Sequence, residues 1–597
     1  MSSPRFFPRQ QCVTAALFLV FASTLPGDTV VNVRNLGAAG DGVTNDRPVF
    51  QEALEQARQS ESAPVTIRIP EGQYRLGIKE DPNAKAHLQI SETNDLTMTA
   101  DENAVLIFSS PFHEGIGIYN SRNIRIDGLA VDYDPLPFTQ GIIVGVTPDE
   151  HLIDIRIEDG FPDPRADHID AFSGKPGKNV GYLFDPATGR KLNQFYDQYL
   201  RTRVKTLDDG IFRYKSSPGN PVKREFIGKR MAVVGRRKAN AFKLNHSTDC
   251  RIENVRIFSA PACGFNVAGS SGVVINRCRI VRKPGTGRVM STNADGLHSK
   301  WCPTGPVLSN SHFTGMGDDA VNIGGSYAAL LKQVDDHTLI VKAHGSLVNH
   351  PADLVALDLD THGHIALGPV SNIRGTRLEG FKRRCLRITF TNPLPDDLTT
   401  WEATGERRTC SRILNLNACG RGAEIIDNRF YLHRGRGVLM RAPGSLIEGN
   451  HFDTLAGPAV VISNDSGFLR EGPSGNGTVV KNNTCTRIER SNIWINSSAG
   501  HSTDEAVEGV TGVKILNNRF EQYGGPNVHG RGVVGNVFLI SNASDLIIAD
   551  NWVGQPVSAE YRATPVLIDR VENLTWRNNR VAGRPLTPRK DIGYADD

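Results

Sequence analysis

Short runs of alternating apolar and polar residues recur along most of the chain, and most carry Asn or Asp near a turn. They include DCRIENVRIFS, GVVINRCRIV, GPVLSNSHF, AEIIDNRFYL, SLIEGNHF, TVVKNNTC, GVKILNNRF, DLIIADNWV and NLTWRNNRV. A period of two fits a strand with one buried face. The spacing between runs, roughly 22 to 35 residues, fits one coil of a solenoid plus loops of varying length. Asn tolerates the left-handed backbone of a tight corner, and stacked Asn side chains can hydrogen-bond from coil to coil. The pattern predicts an all-β chain, a right-handed parallel β-helix. Near the N-terminus the period changes once. Val49, Phe50, Ala53, Leu54 and Ala57 share one helical face behind a cap at Thr44 to Asp46, and a strand, VTIRIPEGQYRL, follows. A capping helix is expected here, because an open solenoid end would expose core and unpaired strand edges.

Two stretches break the rhythm. Residues 142–234 contain HLIDIRIEDGF, RYKSSPGNPVK and KRMAVVGR; residues 325–420 contain DDHTLIVKAHG, DLVALDLD and RCLRITF. Both read as short β meanders with polar turns, and they predict two inserted small β-barrel-like domains. The expected organisation is a signal peptide (1–26) and the N-terminal part of the β-helix (27–141). The first insertion (142–234), a β-helix segment with the candidate site (235–324), the second insertion (325–420) and the C-terminal β-helix (421–597) follow.

Composition changes this picture little. A chain of 597 residues is too long for one ordinary core, as an elongated repeat requires. With 68 basic and 64 acidic residues the net charge is +4, which gives no reason to expect a nucleic-acid partner. Arg5 and Arg9 precede a mostly apolar run from Cys12 to Leu25, the pattern of an export signal cleaved near Gly27. That run is short for a bilayer and no second one follows. A periplasmic or secreted protein, without stable membrane association once the signal is removed, is expected. Among the later cysteines there is no C-x-x-C pair and no zinc-ligand spacing. Cys263, Cys278 and Cys302 read as small buried hydrophobes, whereas Cys410 and Cys419 are close enough to bridge a loop in an oxidising compartment. An unpaired solenoid edge or an insertion could support a dimer.

Chemistry concentrates in STNADGLHSKW and GMGDDAVNIGG. Asp295 precedes Asp318 by about one coil, which puts them on stacked strands with backbones about 4.8 Å apart. Asp318 and Asp319 would face opposite sides of a regular strand, so both reach one cleft only if the chain turns near Gly315 and Gly317. Three acids together are unfavourable unless they share protons or find donors. An inverting glycosidase uses that situation: one carboxylic acid protonates the leaving oxygen, another activates water, at a carboxyl separation of about 6.5–9.5 Å. Taken singly, Asp-Gly is usually a turn and Asp-Asp a solvated corner. Together, one coil apart and between two insertions, Asp295, Asp318 and Asp319 read as catalytic. Asn293 and His298 are candidate hydroxyl ligands and Trp301 a candidate sugar-stacking ring, each set against simple packing at a corner. Arg434, Arg436 and Arg441 are weaker candidates for substrate binding, since arginines near such turns are usually solvated.

The pair NADG and GDDA resembles NTDG and GDDC of the polygalacturonases, glycoside hydrolase family 28. The wider context, with VDYDPLPFTQGIIVGV, RGRGVLMRAPGSLIEGN and both β insertions, more closely resembles glycoside hydrolase family 110, the α-1,3-galactosidases. The opening strand, turn and helix are similar to the start of pectate-lyase-like β-helices. The family resemblance implies a parallel β-helix with inserted barrels, inverting removal of terminal α-1,3-linked galactose, and no metal or other cofactor. Its aspartate triad carries onto Asp295, Asp318 and Asp319. By analogy with the polygalacturonases Asp318 is the general acid, and Asp295 and Asp319 position and deprotonate water, in an order left open. The Gly-His-Gly of the polygalacturonases and the Arg-Ile-Lys that binds uronate carboxylates are absent, so a neutral terminal sugar is the expected substrate class, and the family resemblance implies a galactose-terminated oligosaccharide or glycoconjugate as the partner. Two other readings stand beside this one: hydrolysis of another glycan, such as a pectic or algal oligosaccharide, and a non-catalytic glycan-binding β-helix whose three aspartates project apart. A polysaccharide lyase would need calcium carboxylates with an Arg or Lys base, which no segment supplies together.

Overall fold

The computed structural model describes residues 29–590 apart from 61–63, 79–80, 82, 170, 173–174, 177, 202–204, 209, 236–237, 344–346, 348–353, 358–363, 397, 406–409, 467–469, 499–508, 526–534 and 558–564. The expected signal peptide lies outside the described residues. Within them the chain is a parallel β-helix with three columns of strands. The first column includes Ala86–Ser91, Glu114–Tyr119, Phe242–Asn245, Phe265–Ala268, Leu297–Lys300, Val321–Ser326 and Val438–Arg441. The second runs from Thr29–Asn32 through Arg251–Glu253, Val307–Ser309 and Leu446–Glu448. The third runs from Asp41–Asn45 through His312–Thr314 and Arg429–Tyr431 to Arg580–Val581.

Each coil points one row of apolar residues inward, and the rows stack. Ile126, Ile252, Ile275, Leu308, Ile425, Ile447, Val480, Ile515 and Ile548 form one such row, all buried. Phe242 and Phe265 of the first column and Phe313, Phe430 and Phe452 of the third meet inside the coils as a run of rings, with successive centroids 5.3–6.3 Å apart. Burying a side chain of this size contributes about 1.5–3 kcal/mol, and a solenoid sums such terms coil by coil.

The corner between the second and third columns shows why Asn recurs. Asp427, Asn482, Asn517, Asp550 and Asn578 adopt the left-handed conformation (φ from 52° to 60°). Each is followed by a buried Asn: Asn428, Asn483, Asn518, Asn551 and Asn579. Together with Asn450 these form a ladder in which each Oδ1 accepts from the backbone N–H and the Nδ2 of the preceding rung, at 2.8–3.1 Å. Each Nδ2 also donates to a backbone carbonyl of the coil before, such as Asn483 to Ile447. Chain reversal inside a dry core would otherwise strand these backbone groups.

The N-terminal helix spans Arg47–Gln59, buries Phe50, Ala53 and Leu54, and packs on the strands Thr29–Asn32, Val65–Ile69 and Ala86–Ser91. Asp46 occupies the N-cap position without capping the helix through its side chain. Its carboxylate instead accepts from the N–H groups of Ala39 and Gly40 in the preceding turn. The segment read as one strand is two, Val65–Ile69 and Gly72–Leu76, because proline at position 70 ends the first.

Two antiparallel sheets interrupt the solenoid. Seven strands between Phe138 and Val234 pair in one, and contacts between Leu200 and Ser216 bring its far strands together. Seven strands between Ala328 and Asn415 form the other. All eight cysteines among the described residues are buried and outside any disulfide, so Cys410 and Cys419 do not form the bridge their spacing allows. No helix among the described residues is long and apolar enough to cross a membrane.

The ladder predicts a graded response. Asn483→Ala strands the Asn450 N–H and removes the Ile447 carbonyl's partner, and is expected to cost on the order of 3 kcal/mol. Asn483→Ser is expected to cost less, since Ser311 accepts a backbone N–H from the preceding coil at this same corner. Thermal melting followed by circular dichroism ranks the two; equal midpoints would remove the ladder's energetic role.

Candidate active site

The site grows from one position on successive coils, two residues before the register position shared by the strands of the first column. Glu114, Asn240, Cys263, Asp295, Asp319 and Arg436 occupy it in turn, preceding Ile116, Phe242, Phe265, Leu297, Val321 and Val438. At four of these steps the hydrogen bond runs from the next coil's backbone N–H to the side chain. The Glu114 carboxylate accepts from Asn240 N, Asn240 Oδ1 from Cys263 N (3.0 Å), Asp295 Oδ1 from Asp319 N (3.2 Å), and Asp319 Oδ1 from Arg436 N (2.9 Å). The residue after each must be small. A Cβ at Gly296 would lie 2.6 Å from the Ala320 carbonyl and 2.7 Å from the Phe313 ring, and one at Gly437 would meet the Ala459 carbonyl at 2.4 Å.

Asp319, rather than Asp318, is therefore the register neighbour of Asp295. Asp318 sits one residue earlier in a bend, so consecutive carboxylates turn to one side. Gly315 supplies a left-handed residue there (φ 78°), whereas Gly317 does not; Gly317 is needed because a Cβ would lie 2.7 Å from the Asn293 carbonyl. Gly435 lies so close over the Asp318–Asp319 peptide that its Cβ would stand 2.3 Å from the Asp318 carbonyl.

The three carboxylates converge: one oxygen of each lies within 4.8 Å of one oxygen of each of the others. Their surroundings differ. The side chains of Asp295 and Asp319 are 8% and 3% exposed, against 25% for Asp318. Asp295 Oδ2 bonds His298 Nδ1 at 2.5 Å. Asp319 Oδ2 accepts from Arg436 Nη1 at 2.8 Å, and Asp318 Oδ1 from Arg434 Nη1 at 3.2 Å. Burial pushes the Asp319 carboxyl up to about 7 against the pull of Arg436, and the neighbouring charges of Asp318 and Asp295 push the same way.

The first antiparallel sheet and the segments joining its strands wall one side. Asp197 ties Arg434 (2.8 Å) to Lys191 (3.2 Å), and the Arg434 guanidinium lies 5.0 Å from the centre of the Tyr182 ring. Burial disfavours the Asp197 charge, but Arg434 and Lys191 outweigh it and hold its carboxyl below the usual range. On the other side Glu471 bridges Lys300 and Arg441.

Of the residues the sequence suggested, His298 joins the cluster, with Asn266 and Asn322 beside it on adjacent strands. Asn293 does not. Its buried amide donates to the carbonyls of Pro137 and Gly235, fastening the first insertion to the coil. Trp301 lies beyond the strand Leu297–Lys300, up to about 20 Å along the chain from Asp295, and its indole N–H bonds Ser326 Oγ. Arg434 and Arg436, weaker candidates on sequence alone, are the cations that pair with Asp318 and Asp319. A polar depression of about 530 Å³ lined by Asn94, Asp95, Arg122, Asn123, Asp249, Arg251 and Gly272 lies elsewhere and contains none of these groups.

Fold and site together define a parallel β-helix protein with a carboxylate cluster at one corner of its coils. Residues 30–147 match the family model described as rhamnogalacturonase A/epimerase, pectate lyase-like. The chain is 22% identical to α-1,3-galactosidase B of Bacteroides thetaiotaomicron, over 97% of this chain and 95% of that protein. It is 23% identical to α-1,3-galactosidase A of Shewanella woodyi, over 94% and 92%. Among solved structures, a family 28 exopolygalacturonase of Yersinia enterocolitica aligns with a TM-score of 0.44 and 11% identity, covering 94% of this chain and 78% of that one. The resemblance to family 110 that the motifs carry thus extends along nearly the whole chain.

The Asp319 carboxyl gives a pH test. With its folded value near 7 and its unfolded value near 3.8, the folded state keeps a proton that the unfolded chain has released. This group therefore opposes folding increasingly as pH rises between those values, and its effect is level above them. Asp319→Asn removes it, so the midpoint difference, variant minus wild type, should grow between about pH 4 and about pH 7 and level off above. A flat or shrinking difference would mean that Arg436 keeps Asp319 ionised throughout.

Proposed function

We propose that the chain is an exo-acting inverting glycoside hydrolase that removes terminal α-1,3-linked galactose from glycans. The observation that carries the reading is the convergence of Asp295, Asp318 and Asp319, held against two arginines. Relatives named α-1,3-galactosidases over most of the chain support the substrate.

Burial of Asp319 favours a proton within the cluster near neutral pH. Asp318 is the exposed member and so the one suited to deliver a proton to the departing oxygen. Asp295 and Asp319 have oxygens committed to backbone N–H, His298 and Arg436, an arrangement suited to orienting and deprotonating a water. Arg434 and Arg436 offset the charge that builds as the proton leaves. The wall of Tyr182, Lys191 and Asp197 beside Asp318 favours a chain end over mid-chain binding. The convergence argues against a purely glycan-binding solenoid, for which the aspartates need not meet. The nearest oxygens lie closer than the 6.5–9.5 Å carboxyl separation usual for inversion, so inversion rests here on the family resemblance and on the way both buried aspartates are tethered. We further take the protein to be exported, on the strength of its N-terminal apolar run.

A panel of α-1,2-, α-1,3-, α-1,4- and α-1,6-linked galactosides, with the product anomer followed by NMR, tests the reading. Cleavage of the α-1,3 linkage with β-galactose appearing first is expected, and Asp318→Asn should lower turnover by about 10²–10⁴. Undiminished turnover in that variant would remove Asp318 as the acid. Release of α-galactose first would instead indicate a retaining pathway.

A further inference from the structure

Cys263 occupies the rung beside Asp295 in the polar column. Its Sγ, a carboxylate oxygen of Asp295 and a ring nitrogen of His298 all lie within 4.8 Å of one another. A thiol, an imidazole and a carboxylate are the donor set that zinc and cadmium prefer, at bond lengths of about 2.0–2.3 Å. Calcium and magnesium call for oxygen alone. The three carboxylates of the site would offer such oxygens, but the guanidinium groups of Arg434 and Arg436 already neutralise Asp318 and Asp319.

We propose that Cys263, Asp295 and His298 form a binding site for a thiophilic divalent cation, zinc or cadmium, whose occupancy switches the enzyme off. The geometry gives three protein ligands and leaves a fourth position to solvent, with His298, 19% exposed, at the entrance. Small side-chain rotations bring the donors to bonding distance. On binding, the thiol proton leaves to solvent as the metal–sulfur bond forms. The imidazole proton now shared between His298 Nδ1 and Asp295 moves to Nε2, and the metal takes its place between the two residues. Asp295 then no longer has that oxygen for a water. The binding stands on the three ligands alone; the inhibition rests on the glycosidase reading.

Cadmium titration of the full-length mature protein, followed by the ultraviolet thiolate-to-cadmium charge-transfer band, separates the two. One saturable equivalent is expected in the wild type, with magnesium unable to compete. Cys263→Ser should abolish the band, and His298→Gln should weaken cadmium affinity by at least about 100-fold. Melting curves of both variants check that they remain folded. The site is overturned if the wild type gives no saturable band, or if Cys263→Ser keeps it, which would assign the metal to another cysteine. Zinc should inhibit hydrolysis of the α-1,3-galactoside by the wild type and leave the residual turnover of Cys263→Ser unaffected. A band lost in Cys263→Ser without zinc inhibition of the wild type would uphold the metal site and overturn the switch.

Discussion

Everything in this molecule depends on the register between coils. Parallel strands about 4.8 Å apart repeat each backbone position once per coil, so a residue type chosen at one position becomes a column. Inside the coils that column is apolar, and its burial drives folding. At the corner between the second and third strand columns it is Asn, because a reversing chain leaves backbone N–H and C=O groups without a ladder. Before the first column a related device uses carboxylates with the polarity reversed: Asp295 and Asp319 each accept the N–H of the next coil, whereas Asn450 and Asn483 accept that of the coil before. The candidate site is a structural ladder with its amides replaced by acids.

That origin explains what could be read from the sequence. The alternating runs, the Asn corners and the helix at Arg47–Gln59 all follow from short-range pattern, and the structure contains them. The two aspartate motifs stood out because they are one coil apart. The register within them did not. Pairing Asp295 with Asp319 rather than Asp318 is a difference of one residue, and loops of unequal length hide a shift of that size. Asn293 misled for a related reason. Proximity in sequence to Asp295 says nothing about which way a side chain turns at a corner, and its amide is bound by carbonyls at 137 and 235. Arg434 and Arg436 lie more than a hundred residues from the acids they neutralise, beyond the whole second antiparallel sheet. Only the parallel pairing of Val321–Ser326 with Val438–Arg441 brings them there.

The price of a ladder made of acids is electrostatic, and its magnitude orders the site. A buried carboxylate without compensation is neutralised by protonation rather than tolerated. Asp319 carries that burden most heavily, since it is the most enclosed of the three. Arg436 offsets part of it from the next rung, and Arg434 offsets Asp318 from the side. Arg434 in turn is held by Asp197, from the chain between the strands of the first antiparallel sheet. An arginine at a β-helix turn would otherwise extend into solvent, where a pair with Asp318 would contribute little. By gripping Arg434 from the other side, Asp197 fixes the cation beside the acid in a place from which water is partly excluded. The first insertion thus does more than shape a wall. It supplies the counter-charge that lets three aspartates share one corner of a solenoid, and it leaves Asp318 the most open of the three to whatever enters.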